Sequence, residues 1–278
     1  MAGWLRHIFK RRSHFGALDN AQFPAFEKGT VWLVGAGPGA PGLLSLLGYH
    51  ALGQADVIVY DALVSNALLS LANPRAEKIF AGKRGGKPSP KQADISLQLV
   101  AWAKQGKRVL RLKGGDPFMF GRGGEEAGTL FNAGIKFRIV PGISSGLGGL
   151  AYAGIPVTHR ETNQAVIFLT GHDETGDVSP LDWPAISRAA PVIVMFMAVK
   201  HLGTIAQKLL AAGRDPSDRL AIVSNAALPT QNVIETTLEL AASLTDVPTP
   251  AIIVIGPVSA YRQTLDWYTG PARESEFG

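Results

Sequence analysis

From residue 30 onward, short uninterrupted apolar runs alternate with longer stretches in which apolar residues recur at helical spacing. The runs fall at residues 31–34, 56–60, 108–112, 137–140, 165–170, 191–197, 220–223 and 251–255. Most are apolar at consecutive positions, the pattern of strands covered on both faces. Between them the spacing predicts helices over 42–54, 93–105, 125–133, 200–212 and 236–244. Three of these are followed by Gly106, Gly134 and Gly213, where glycine can take the left-handed conformation that ends a helix. Strands separated by helices imply parallel pairing, because returning to the same edge of a sheet takes a crossover of helix length. The expected fold class is therefore α/β. The rhythm lapses at 154–165, a polar, Pro-containing joint, which places a boundary between an N-terminal domain (29–156) and a C-terminal one (157–268). Residues 1–28 and 269–278 are set aside as tails.

Chemistry concentrates where the predicted strands end. RLKGGDPFMFGRGGEE (111–126) follows an apolar run and leads into a helix, interleaving Gly114, Gly115, Gly121 and Gly123 with Asp116, Arg122, Glu125 and Glu126. Glycines at that density suit a backbone that turns sharply or approaches a ligand, and the charge between them favours a site over a plain loop. VGAGPGAPGL (34–43) has the outline of a dinucleotide fingerprint, with Asp61 standing in for the ribose-binding acid. Pro38 and Pro41, however, remove amide donors where a pyrophosphate would need them, so the loop suits a ligand without phosphates. Asp61 closes a buried strand and reads equally as a turn acid or as a ligand-edge carboxylate. Lys83 and Arg84 in GKRGG (82–86) read as solvated cations or as two charges at one mouth. PGISSGLGG (141–149) serves either close helix–sheet packing or a flat ligand.

Composition narrows the classes. The chain has 278 residues, 46% hydrophobic and 18% charged, which marks a folded protein of one or two domains. It has no cysteine, which excludes disulfides, thiolate metal ligands and thiol catalysis, and fits a reducing cytoplasm. The six histidines show no helical pairing, so no metal site is expected. A net charge of +5 suits an anionic partner, but no basic, aromatic-studded pattern points to nucleic acid. No run reaches the roughly 18 apolar residues of a membrane span, so no integral membrane association is expected. Basic residues crowd positions 6–14, read as a frayed tail or a short amphipathic helix.

Together these segments resemble the tetrapyrrole (corrin/porphyrin) methylase family, through VGAGPGAPGLLSL (34–46), ADVIVYDALVS (55–65), GKRGGKPSPKQADIS (82–96), RLKGGDPFMFGRGGEE (111–126), VPGISSGLGGLAYAGIPVTHR (140–160), VIVMFMAVKH (192–201) and PAIIVIGPV (250–258). The resemblance covers about residues 30–268. It implies two α/β domains with a cofactor cleft between them, working as a homodimer. It further implies transfer of methyl groups from S-adenosylmethionine to uroporphyrinogen III, at C2 and then C7, leaving S-adenosylhomocysteine. Matched by motif, the cofactor contacts are Pro38, Gly114, Gly115, Asp116, Met119, Ser144, Ser145, Met197 and Ala226. Asp61 falls at the family's proton acceptor and Lys83 at its proton donor. Arg84, Arg122 and Arg160 are expected to meet the substrate's carboxylates. Two departures stand out: Ser144-Ser145 replaces the usual Thr-Ala, and Ala226 stands where glycine is common.

Overall fold

The structure, a computed structural model, describes residues 23–82 and 92–269, arranged around two five-stranded sheets. The first sheet contains β1 (Val31–Gly35), β2 (Val57–Tyr60), β3 (Glu77–Phe80), β4 (Val109–Lys113) and β5 (Phe137–Val140), in the order β3-β2-β4-β1-β5. All its pairings are parallel. The intervening helices are α1 (Leu46–Gln54), α2 (Asn66–Ser70), α3 (Gln92–Lys104) and α4 (Gly123–Asn132). Every residue of the central strands β1 and β4 is buried, because helices cover both faces. Side chains alternate between two cores. Trp32, Val34, Leu110 and Leu112 join Leu52 and Leu68 on one face. Val31, Leu33 and Val109 join Leu99 and Leu130 on the other.

After β5, a π turn (Ser145–Gly149) and the single turn α5 (Leu150–Tyr152) lead to the second sheet. It is built from β6 (Val166–Thr170), β7 (Val192–Phe196), β8 (Arg219–Ser224), β9 (Asn232–Thr237) and β10 (Ala251–Ile255). Its helices are α6 (Trp183–Ala189), α7 (Leu202–Ala211), α8 (Leu238–Ala241) and, after β10, α9 (Arg262–Leu265). The strand order is β6-β7-β10-β8-β9. One face packs on α7 and α8 through Ile193, Met195, Ile222 and Ile253. The other packs on the segment leaving the first sheet, where Leu150 and Ile155 meet Val194, Val223 and Val254. That contact joins the two halves.

The expectation of parallel sheet holds for the first half and is corrected for the second. There only β6·β7 is parallel; β10 runs antiparallel to both β7 and β8, and β9 antiparallel to β8. The physical reason is the short loop from β8 to β9, which allows a hairpin and needs no crossover. β9 was hidden by its composition: it is an edge strand with no fully buried residue, so it lacks an apolar run. The helix expected over 236–244 shrinks to the four residues of α8 for the same reason, since β9 already takes residues up to Thr237. The three glycine stops do adopt positive φ, at +77° for Gly106, +69° for Gly134 and +89° for Gly213.

Candidate active site

In a parallel sheet all the C-terminal strand ends open on one edge, and that edge is where α/β proteins gather ligand-facing loops. The segments following β1, β2 and β4 line a cavity of about 340 Å³ there. Its opposite wall comes from the ends of β7 and β8 and the start of β10. The floor is tied together by backbone. Gly115 N donates to Gly37 O at 2.8 Å, and Gly37 N donates back to Gly115 O at 3.1 Å. Gly142 must be glycine for closeness, because a Cβ there would collide with the Gly115 carbonyl oxygen. Gly115 must be glycine for conformation instead: its φ is +65°, yet a Cβ would meet nothing nearer than 3.8 Å.

Two aspartates hold this floor. Asp61 Oδ1 accepts from Leu63 N at 2.9 Å and Oδ2 from Gly114 N at 3.1 Å, so the carboxylate clips the β2 exit to the glycine loop. Asp116 Oδ1 accepts from Phe118 N at 2.8 Å and Oδ2 from Gly142 N at 3.0 Å, clipping the same loop to the β5 exit. The Asp116 carboxylate thus ties the glycine loop down in the same way as the Asp61 carboxylate does.

Pleating sends Arg111 and Lys113 to the same face of β4, where both are buried. Glu126 of α4, fully buried, takes Arg111 Nε at 2.9 Å and Lys113 Nζ at 3.2 Å. Burial first, then the Arg111 charge, pulls the Lys113 ammonium below its ordinary 10.5, while Glu126 and Asp61 act in the opposite direction. One residue earlier on α4, Glu125 is exposed and forms a two-pronged pair with Arg122 at 2.9 and 2.6 Å. That bond lifts Arg122 and holds Glu125 below the usual carboxylate value of 4.5.

The cavity brings together all nine residues expected at the cofactor. Pro38 comes from the first strand end, Gly114, Gly115, Asp116 and Met119 from the loop after β4, Ser144 and Ser145 from the entry to the π turn, and Met197 and Ala226 from the loops after β7 and β8. Asp61 and Arg122 line it too; Arg160 does not, and its side chain is exposed on the 157–163 loop. Lys83 and Arg84 lie outside the described residues. Sequence reasoning passed over Arg111 and Lys113 as site residues. Their signal was two cations at alternate positions of an otherwise apolar central strand. It also missed Asn225, whose φ is +50°. Phe120, Arg122 and Met197 share that left-handed conformation at φ 53°, 59° and 53°, so four side-chain-bearing residues in sparsely populated backbone line one cavity. Strain of this kind collects at functional sites.

The donor set fits a nucleoside-type cofactor without phosphates. Ser144 Oγ is buried on the cavity with no hydrogen-bond partner among the described residues, a hydroxyl awaiting a polar ligand. No group of three or more His, Cys, Asp or Glu among the described residues could hold a metal ion.

Comparison with known proteins matches residues 30–242 to the tetrapyrrole (corrin/porphyrin) methylases. A uroporphyrinogen-III C-methyltransferase of Sinorhizobium sp. is 61% identical over 251 residues, covering 89% of this chain and 90% of that protein. A siroheme synthase of Zymomonas mobilis is 45% identical over 244 residues, 87% of this chain but 52% of the synthase, so the chain spans about half of that longer protein. Among solved structures, the uroporphyrin-III C-methyl transferase of Thermus thermophilus, complexed with S-adenyl homocysteine, aligns with a TM-score of 0.74. It is 38% identical, and the match covers 83% of this chain and 99% of that one.

Proposed function

This chain belongs to the tetrapyrrole (corrin/porphyrin) methylases, and on that premise we propose that it is the S-adenosylmethionine-dependent C-methyltransferase of uroporphyrinogen III. It places methyl groups at C2 and then C7, giving precorrin-2 through precorrin-1, for siroheme or cobalamin biosynthesis. The observation that carries this reading is the cavity itself. A glycine-stitched floor, an unpartnered Ser144 hydroxyl and an uncharged far wall suit a sulfonium nucleoside. The 61% identity to a uroporphyrinogen-III C-methyltransferase supports the substrate.

When bound, S-adenosylmethionine supplies an electrophilic methyl group. Main chain at Gly114, Gly115 and Asp116, with Pro38, Met119, Ser144, Ser145, Met197 and Ala226, would hold it. Most of the protein's contribution is alignment of methyl and pyrrole carbon in a cleft that limits water. A pyrrole carbon that gains a methyl leaves a cationic ring that must shed a proton. Asp61 stands at the cavity with its carboxylate position fixed by two amides, and acts as the acceptor. Lys83 is assigned the donor role, and Arg84, Arg122 and Arg160 pair with the substrate's carboxylates. Arg122 already holds Glu125, so a substrate carboxylate must share its guanidinium or displace that partner. We further assign residues 29–156 and 157–268 to separate domains flanked by tails, the working form to a homodimer, and its place to the cytoplasm.

The test is an anaerobic assay with labelled S-adenosylmethionine and mass analysis over time. A monomethylated species that rises and decays into a dimethylated product is expected, because one cofactor site must empty and refill between transfers. A monomethylated end-product, or turnover with a preformed later corrin precursor and not with uroporphyrinogen III, overturns the assignment.

A further inference from the structure

The wall that the second sheet lends to the cavity is under backbone strain. Residues 225–231 connect β8 to β9, and Asn225 and Ala227 both take left-handed backbone there, at φ +50° and +57°. Between them sits Ala226, which lines the cavity together with Asn225 and Leu228. Such conformations are costly for residues that carry a Cβ, and they persist only where surrounding contacts hold them. Ala226 also has little room to move. A Cβ on Gly149 of the π turn would lie 2.8 Å from Ala226 Cβ, and one on Gly39, after β1, would lie 3.0 Å from Ala226 O.

Gln231 supplies the hold. It is buried, and both ends of its side-chain amide are engaged. Oε1 accepts from Ala227 N at 2.8 Å, and Nε2 donates to Tyr152 O at 3.0 Å. The first bond fixes the amide of the left-handed residue next to Ala226. The second fixes the glutamine to the segment joining the two halves, where the Tyr152 ring packs on Trp267 at 4.9 Å and on Tyr268 at 4.7 Å. Main chain closes the rest of the loop, with Asn225 N donating to Pro250 O and Gln231 N to Leu228 O, each at 2.9 Å. Bridging an N–H and a carbonyl takes a side chain that accepts at one tip atom and donates at the other, which an amide does in a single protonation state.

We propose that Gln231 is a positioning residue for the cofactor, holding the strained wall at 225–228 so that Ala226 stands where the cofactor meets it. This rests on the reading of the cavity as the S-adenosylmethionine site. Gln231 is not among the lining residues and acts through Ala227. Its effect falls on binding and not on the chemical step, because Asp61 and the glycine loop belong to the other half.

Calorimetry of the full chain with S-adenosylhomocysteine, paired with methyl-transfer kinetics, tests the assignment. Gln231→Met keeps the buried volume and removes both hydrogen bonds, so the Kd rises by about tenfold. The KM for S-adenosylmethionine rises in step, while kcat at saturating cofactor and uroporphyrinogen III stays within about twofold of the parent. Adding Ala227→Gly to Gln231→Met brings the Kd back to within about threefold of the parent, because glycine takes the left-handed conformation unaided. A merely structural role predicts no such recovery, since glycine loosens the chain further. Should Gln231→Met fail to fold, Gln231→Asn is read in its place with the same expectation. It keeps a polar group in the buried site but is one carbon too short to reach both ends. A Kd within about threefold of the parent in the variant read, a kcat below about half, or no recovery with Ala227→Gly overturns the role of Gln231. Failure of the parent protein itself to bind S-adenosylhomocysteine overturns the cofactor reading, and this proposal with it; binding by the parent leaves that reading standing whatever Gln231 does.

Discussion

The two sheets contribute to the cavity in opposite ways. All the charged residues among its described lining, namely Asp61, Arg111, Lys113, Asp116 and Arg122, come from the parallel half. The antiparallel-containing half supplies Phe196, Met197, Val223, Asn225, Ala226 and the start of β10, none of them charged. The difference follows from topology. A parallel sheet delivers every strand end to the same edge, so successive β–α loops can each offer a polar group to one point. A mixed sheet sends neighbouring ends in opposite directions, and what reaches the cavity is wall. One half therefore carries the reactive groups and the other sets the shape.

If the charged half depends on internal compensation, its weak point is Glu126. Glu126→Gln leaves Arg111 and Lys113 facing each other in a buried site, and should cost about 3–5 kcal/mol of stability. Urea denaturation measures this, and a loss under about 1 kcal/mol would show that the cluster is not held by charge. A smaller effect is expected in the uncharged half. Met197 is 46% exposed at the cavity, so Met197→Ala should leave unfolding within about 0.5 kcal/mol of the parent. It should weaken S-adenosylhomocysteine binding by about 1–2 kcal/mol, roughly tenfold, through lost apolar contact. Calorimetry reads it, and unchanged affinity would mean that this wall does not touch the cofactor.

The smallest effect belongs to the exposed pair on the same helix as Glu126. A double-mutant cycle on Arg122 and Glu125 should give under about 1 kcal/mol of coupling, because both side chains are more than half exposed. Its pH dependence has a definite sign. The folded-state value of Glu125 lies below the ordinary 4.5, chiefly through its bond to Arg122. Whatever the pair contributes is therefore complete above about pH 4.5 and is lost as the pH falls from there. Coupling that persists undiminished in acid would contradict this. Set beside Glu126, the pair contrasts an exposed glutamate with its buried neighbour in sequence, which faces a lysine as well as an arginine.

Much of this was written in local pattern. The strands β1, β2 and β4 appear as continuous apolar runs because both faces are covered, and the glycine stops of α3, α4 and α7 appear because only a residue without a side chain takes that conformation freely. The glycine-rich strand ends announced the cavity floor, and the motif match named Ser144 and Ala226 in segments more than 80 residues apart in the chain. β9 was not written there, and neither was the exposed edge strand β3, whose EKIF is no apolar run. A half-exposed edge strand has no uninterrupted apolar run, and nothing in six polar and apolar residues fixes whether they extend or coil.

The sequence by itself determined the buried strands of the parallel half and the loops that carry chemistry, because hydrophobic period and glycine placement are properties of neighbouring residues. Only the tertiary structure decided the mixed pairing of the second sheet and which charges are buried. The charges of Arg111, Lys113 and Glu126 are identical to any others along the chain. They become a cluster because pleating sets Arg111 and Lys113 on one face of β4 and α4 lays Glu126 over that face. Burial and counter-charge are relations between distant segments, and folding is what brings those segments together.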